Sequence, residues 1–164
     1  MAQEKLSEFC LYLESDSKLA EKFHEADFGF SAGGQLVFHP LEAAYLVKLG
    51  KTKFDGKSFA QFMAAQKKKH RMFPFAFAVY SLVRSKGRVV RPYMEGIKYL
   101  RAYAPGAGRQ EGKSSLLIAL LPGRLAGKDI EEQVALAHKL RLDLIIAYGT
   151  EKEPKFYKVA AFNF

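Results

Sequence analysis

The sequence predicts an α/β fold whose C-terminal half is built around a central mixed sheet. SLLIALL (115–121) is continuously apolar, which is the pattern of a strand buried on both faces. LDLIIAY (142–148) is a second apolar strand, and an amphipathic helical segment lies between the two. A helix that crosses between two apolar strands is typical of α/β layering.

The basic run KKKHR (67–71) interrupts the apolar pattern, and Pro74 restarts it. We therefore predict an α+β N-terminal domain over residues 1–71 and an α/β C-terminal domain over residues 72–164. The N-terminal domain is predicted to contain two strands, at 9–14 and 35–39, and three helices, at 15–29, 40–50 and 58–71. Pro40 suits a first helical position, and Ser58 with Gln61 forms a capping-box pattern.

The C-terminal domain is predicted to open with a helix from Pro74 to Gly87. Its strands are predicted at 88–91, 97–103, 115–121, 142–148 and 156–162, with a glycine-rich loop at 104–114. Asp129, with Glu132 three residues later, is predicted to cap the crossover helix. The side chains that this helix turns inward are predicted to be Ile130, Val134, Ala137 and Leu140.

Composition favours a polyanionic partner. The 164 residues carry a formal charge of +9 with a pI of about 9.6, so nucleic acid is the first expectation and an anionic membrane surface the second.

The chain has one cysteine, Cys10, shows no signal-peptide pattern and has no apolar run near the ~20 residues of a membrane span. We therefore expect a cytoplasmic protein. The cations expected to contact RNA, rather than only to solubilise the surface, are Lys67, Lys68, Lys69, Arg71, Arg84, Arg88 and Arg109.

No metal site or cofactor is expected. None of the four histidines pairs with another at helical spacing. The acid-x-Lys triplet of metal-dependent nucleases occurs at Glu111–Lys113, but it recurs at Glu153–Lys155, and the strand at 97–103 carries no carboxylate. His138 lies in the last turn of the predicted crossover helix, where the helix dipole favours a cation.

Three segments resemble the archaeal tRNA-splicing endonuclease family in their order and spacing. They are HPLEAAYLVKLGK (39–51), VYSLVRSKGRVVRP (79–92) and VALAHKLRLDLIIAYG (134–149). The resemblance implies a restriction-endonuclease-like α/β fold for the C-terminal domain. It also implies metal-independent RNA cleavage by a Tyr, His and Lys triad. Two of these groups transfer protons and the Lys stabilises the phosphorane, giving a 2′,3′-cyclic phosphate and a 5′-hydroxyl.

This chain departs from the family's triad. The Tyr falls on Tyr103, whereas the His position falls on Gly112 or a neighbour, and no His occurs between residues 71 and 137. The Lys position falls on Leu142, and the family's substrate-gripping Arg falls on Ala135. An apolar side chain cannot stabilise a phosphorane. The resemblance therefore implies a noncatalytic, structural subunit with Tyr103 as a remnant.

The resemblance also implies partners. A catalytic paralogous subunit would form an αβ pair with this chain, and two pairs would form a heterotetramer that cleaves introns from precursor tRNA at bulge-helix-bulge sites. No membrane and no small-molecule substrate is expected. The apolar residues expected at the subunit contact lie on the last strand and are Phe156, Val159, Phe162 and Phe164; alternatively, they close the domain's own core. Glu151 and Glu153, in the loop before that strand, are expected to contact a neighbouring subunit; alternatively, this loop is an ordinary solvated turn.

Two other functions stay open from the residues. One is an active nuclease that uses Tyr103 with unusual partners, or a metal held at Glu111 and Lys113. The other is a stand-alone RNA-binding module, which would bind RNA in a salt-dependent way without an obligate partner.

Overall fold

The computed structural model describes residues 11–14, 18–93, 96–103 and 116–160. The chain divides into two compact units, Met1–Phe73 and Pro74–Phe164. The boundary predicted after residue 71 lies near this division.

The first unit contains a three-stranded antiparallel sheet and three helices. In the sheet, the third strand lies between the first two. The elements are β1 (Leu11–Glu14), α1 (Lys18–Glu25), β2 (Phe30–Ala32), β3 (Gln35–Phe38), α2 (Pro40–Lys48) and α3 (Phe59–Lys69). Its core is aromatic, because Phe38 packs edge-on against both Phe23 and Phe54, each with ring centroids 5.8 Å apart.

The start of α2 is held by a buried carboxylate. Pro40 is the first helical residue, as predicted, and His39 is the N-cap, whose Nδ1 accepts a hydrogen bond from the Leu41 N–H at 3.1 Å. Glu42 is only 3% exposed. Its Oε2 accepts from the His39 N–H at 3.0 Å, and its Oε1 accepts from the Gly29 N–H at 3.2 Å. Glu42 therefore joins the helix start to the chain before β2.

Two predictions for this unit are wrong. The helix predicted over 15–29 ends at Glu25, because Asp27 and Gly29 take positive φ values of 60° and 64° and turn the chain. A side chain at Gly29 would meet the Val37 carbonyl oxygen at 2.7 Å, so glycine is required there. Strand β2 was not predicted, because three residues are too few to show an alternating pattern.

The second unit is built on a five-stranded sheet in the order β4-β5-β6-β7-β8. Only β6 and β7 are parallel, so the sheet is mixed, as predicted. Helix α4 (Phe73–Ser85) begins at the division between the units. The remaining elements are β4 (Val90–Tyr93), β5 (Tyr99–Ala102), β6 (Leu116–Pro122), α5 (Gly127–Leu140), β7 (Asp143–Gly149) and β8 (Pro154–Val159).

The two apolar strands lie at the centre of this sheet. Residues 117–120 of β6 are at most 1% exposed, which confirms burial on both faces. Helix α5 crosses between β6 and β7 and covers one face. The side chains predicted to turn inward are confirmed, since Ala137 belongs to the buried cluster under α5, and Ile130, Val134 and Leu140 pack against it. The buried Gln133 was not predicted to face inward.

Several predicted limits in this unit are wrong. Asp129 does not cap α5. The helix begins earlier, with Ala126 at the N-cap, and the Asp129 carboxylate accepts from the Ala126 N–H at 3.4 Å. Strand β8 begins at Pro154 rather than at residue 156, because pairing with β7 extends to Gly149. Strand β4 covers Val90–Tyr93 rather than 88–91, and its Pro92 suits an edge strand.

Candidate functional site

Strand register brings Tyr103 and Leu142, two of the positions that the resemblance assigns to the triad, to one end of the sheet. Ala102 at the end of β5 pairs with Leu116 at the start of β6, and Leu116 pairs with Asp143 at the start of β7. Tyr103 follows β5 directly and Leu142 precedes β7 directly. Tyr103 and Leu142 adjoin strands that are two apart in the sheet, which corresponds to a separation of about 10 Å. We call this end of the sheet the Tyr103 edge.

Tyr103 is fixed mainly through its backbone. Its N–H donates to the Val89 carbonyl at 3.0 Å, and its own carbonyl accepts from the Arg88 Nη1 at 3.0 Å. The residue is half-buried. Arg88, which was predicted to contact RNA, therefore uses part of its guanidinium group to hold the chain at Tyr103.

Leu142 is positioned by the end of α5. Arg141 takes the left-handed conformation (φ 55°) and ends the helix, and the Leu142 N–H then donates to the Ala137 carbonyl at 3.1 Å. Leu142 lines a surface cavity with eight other residues, listed here in chain order: Val134, Ala137, His138, Asp143, Leu144, Lys158, Val159 and Ala160.

The polar groups of this cavity are an imidazole and an ion pair. The Lys158 Nζ lies 3.5 Å from the Asp143 Oδ2, and these side chains are 65% and 62% exposed. An ion pair so exposed contributes little to stability. His138 is exposed on the last turn of α5, and Ala135 is exposed one turn earlier. The position that the resemblance assigns to the family's lysine therefore holds a leucine beside a carboxylate.

Other predicted residues lie outside the described part of the chain. These are Arg109, Glu111, Gly112, Lys113, Phe162 and Phe164. In the described ranges, no group of three or more His, Cys, Asp or Glu side chains is placed to hold a metal ion. No helix within these ranges is long and apolar enough to cross a membrane.

The predicted RNA-contacting cations occupy both units. In the first unit, Lys67, Lys68 and Lys69 are exposed in the last turn of α3, where the helix dipole favours cations, and Arg71 is exposed just beyond it. In the second unit, Arg84 is half-buried near the end of α4.

Sequence reasoning missed a second group of cations on β4 and β5. Arg91 and Arg101 lie directly opposite each other across these antiparallel strands. The Arg101 guanidinium carbon lies 3.8 Å from the centre of the Tyr93 ring. The alternation of VRPY and YLRA places Arg and Tyr on one face of each strand, but the pairing register needed to bring them together was not predictable.

Strand β8 is an edge strand with exposed aromatic side chains. Phe156 and Tyr157 are 38% and 56% exposed, whereas Val159 packs against the cluster under α5. Tyr157 was not among the predicted contacts. Its ring stacks on Tyr148 with centroids 5.0 Å apart. A hydrogen bond with Tyr157 and some desolvation raise the pKa of the Tyr148 hydroxyl.

The loop before β8 carries its acidic residues on the surface. Glu151 and Glu153 are both exposed. The Glu153 N–H donates to the Thr150 Oγ1 at 3.2 Å, and its carboxylate lies 3.6 Å from the Lys155 Nζ. The lysine offsets part of the charge that this loop presents.

These features define a small two-unit α/β protein whose second unit brings Tyr103 and Leu142 to one end of a mixed sheet. The chain is 31% identical over 144 residues to a tRNA-splicing endonuclease of Thermococcus kodakarensis, covering 84% of each chain. It is 28% identical over 162 residues to one of Thermococcus onnurineus, covering 94% of this chain and 93% of that protein. A tRNA-splicing endonuclease of Pyrococcus furiosus is 26% identical over 154 residues. No protein-family profile matches the chain.

The chain belongs to the tRNA-splicing endonuclease family. The predicted resemblance to this archaeal family is thus confirmed.

Proposed function

We propose that this chain is a structural, catalytically inactive subunit of a tRNA-splicing endonuclease. It assembles with a catalytic paralogue, and the complex cleaves introns from precursor tRNA at bulge-helix-bulge sites. The observation that carries the proposal is Leu142, which stands directly before β7 at the Tyr103 edge, where the family resemblance requires a lysine.

The electrostatics around Leu142 support inactivity. A phosphorane carries more negative charge than the diester from which it forms, so the catalytic site must supply positive charge there. Leu142 supplies none, and the neighbouring Asp143 carboxylate adds a negative charge that Lys158 partly offsets. The chain also has no histidine between residues 71 and 137 to transfer a proton beside Tyr103.

The edge strand β8 supports assembly. Exposed backbone and aromatic side chains on an unpaired edge favour association with another strand. Phe156 and Tyr157 give β8 such a surface, and Glu151 and Glu153 precede it on an exposed loop. A partner that covers this strand would remove apolar surface from water.

The test is cleavage of a bulge-helix-bulge RNA in the presence of EDTA. We expect no cleavage by this chain alone and cleavage by an equimolar mixture with the catalytic paralogue. The matched control is a mixture in which the paralogue's own catalytic lysine is replaced by alanine. That mixture should be inactive, because this chain has no cation to substitute for it. Cleavage by the control mixture or by this chain alone would contradict the proposal.

A second candidate, cleavage by this chain itself, is favoured by one observation. Lys158 lines the same cavity as Leu142, and its ammonium group is exposed. If this ammonium replaces the missing lysine, the chain alone cleaves the RNA, and both Lys158→Ala and Tyr103→Phe abolish the reaction. A stand-alone RNA-binding module would instead bind the RNA but leave it uncut in every mixture.

A further inference from the structure

Two strands of the second unit place arginine and tyrosine side chains on one face. Arg91 pairs with Arg101, and Tyr93 pairs with Tyr99. Opposed residues of antiparallel strands point to the same face, and so do alternate residues along a strand. Tyr93 and Tyr99 pack against the core cluster under α5, so this face is the one that α5 partly covers. We call these four residues the β4–β5 arginine–tyrosine surface.

The two opposed arginines favour an anionic ligand. Both residues are half-buried on neighbouring strands, where solvent screens charge less. An anion beside these strands is therefore attracted by two guanidinium groups at once.

Arg101 is oriented in advance for such a ligand. Its guanidinium carbon lies over the Tyr93 ring, 3.8 Å from the ring centre, and this contact restricts the freedom of the side chain. Its Nε is buried and has no hydrogen-bond acceptor among the residues that the structure describes. None of the ion pairs found in those residues involves Arg101. A stacked guanidinium with unused donors is suited to bidentate binding of a phosphate group.

We propose that Arg101, with Arg91 opposite it, binds a phosphodiester group of RNA on the β4–β5 arginine–tyrosine surface. The identification of the polyanion as RNA rests on the proposed function. Arg101 precedes Tyr103 by two residues on the same strand, so the bound backbone would lie beside the Tyr103 edge. This chain would then hold RNA next to a site that does not cleave it.

The test is fluorescence anisotropy with the full chain and a short, labelled, single-stranded RNA, measured from about 50 to 200 mM KCl. Arg101→Gln should weaken binding about tenfold at low salt and make the slope of log affinity against log salt shallower by about 0.7, the loss of one phosphate contact. The control is Arg124→Gln, which also removes one positive charge. Arg124 is exposed and lies beyond the far end of β6. It should bind like the parent chain.

A conservative variant separates stacking from charge. Arg101→Lys should keep the salt slope but lose affinity several-fold, because an ammonium group binds phosphate at a single point. If Arg101→Gln fails to fold, judged by circular dichroism, Arg101→Lys decides the question by its loss of affinity. Unchanged binding by the folded Arg101 variants, equal losses in Arg101→Gln and Arg124→Gln, or no RNA binding by the parent chain would overturn the proposal. Cleavage by the mixture with the paralogue tests the proposed function separately.

Discussion

Tyr103, on which the family resemblance places the tyrosine of the triad, is held in place at the end of β5. Its N–H donates a hydrogen bond to the Val89 carbonyl, and its carbonyl accepts one from the Arg88 guanidinium group. The residue therefore has a structural function at the end of β5. A phenol alone cannot cleave RNA by general acid–base chemistry, because the reaction also needs a second proton-transfer group and a cation.

Replacing Tyr103 by Phe in this chain should therefore leave cleavage by the mixture with the catalytic paralogue unchanged within about twofold. The substitution removes only the hydroxyl, and the backbone contacts persist. Initial rates under single-turnover conditions provide the measurement. The matched control is the equivalent Tyr→Phe change in the paralogue, which should abolish cleavage. A large loss from Tyr103→Phe would assign this tyrosine a catalytic role.

The sequence identifies some site residues and not others, for physical reasons. Tyr103 and Leu142 were proposed because the family resemblance assigns triad positions to them, and the structure places them directly after β5 and directly before β7. Arg101 was missed because its importance depends on the register that pairs it with Arg91 and on the ring of Tyr93 beneath it. Pairing across strands is not encoded in any short window of sequence.

Among the elements, the long apolar segments and the helix starts marked by Pro40 and by Ser58 with Gln61 were predictable, whereas the short strand β2 and the start of α5 were not. Strands β6 and β7 and the inward face of α5 follow from runs of Leu, Ile and Val. The start of α5 was wrong because Asp129 acts from inside the first turn rather than from the cap. The start of α2 depends on Glu42, whose carboxylate reaches a residue thirteen positions earlier in the chain.

Glu42 is expected to be the most sensitive polar residue of the first unit. Glu42→Ala removes the acceptor for the N–H groups of Gly29, which is buried, and His39, which is half-buried. The free energy of unfolding should fall by about 2–4 kcal/mol. Urea denaturation followed by circular dichroism measures the change.

The control for this substitution is Glu21→Ala on α1. Glu21 is exposed, so its replacement should change the free energy of unfolding by about 0.5 kcal/mol or less. Equal urea midpoints for the two variants would show that Glu42 does not hold the start of α2.

For the whole molecule, the formal charge of +9 attracts polyanions, and RNA is the polyanion of the proposed function. The exposed run Lys67–Lys69 concentrates three of these charges in one helical turn. Replacing all three by Gln should weaken binding of precursor tRNA to the assembled mixture and make its salt dependence shallower, while cleavage at saturating RNA is unchanged. The control replaces three dispersed, exposed lysines, Lys22, Lys128 and Lys152, by Gln. Equal losses in both triple variants would mean that net charge, and not this run, is responsible.

Assembly should depend on the exposed edge of β8. A lysine in place of Tyr157 puts a charge on the most exposed aromatic side chain of that strand, and charged residues on edge strands oppose pairing with another chain. Mixed with the paralogue, Tyr157→Lys should give separate chains by light scattering, whereas the parent mixture should have the mass of two αβ pairs. Leu19→Lys is a matched control on α1, because Leu19 is also an exposed apolar residue, at 39%. It should assemble normally. A complete assembly with Tyr157→Lys would show that the subunits meet on another surface, even if the mixture remains an active endonuclease.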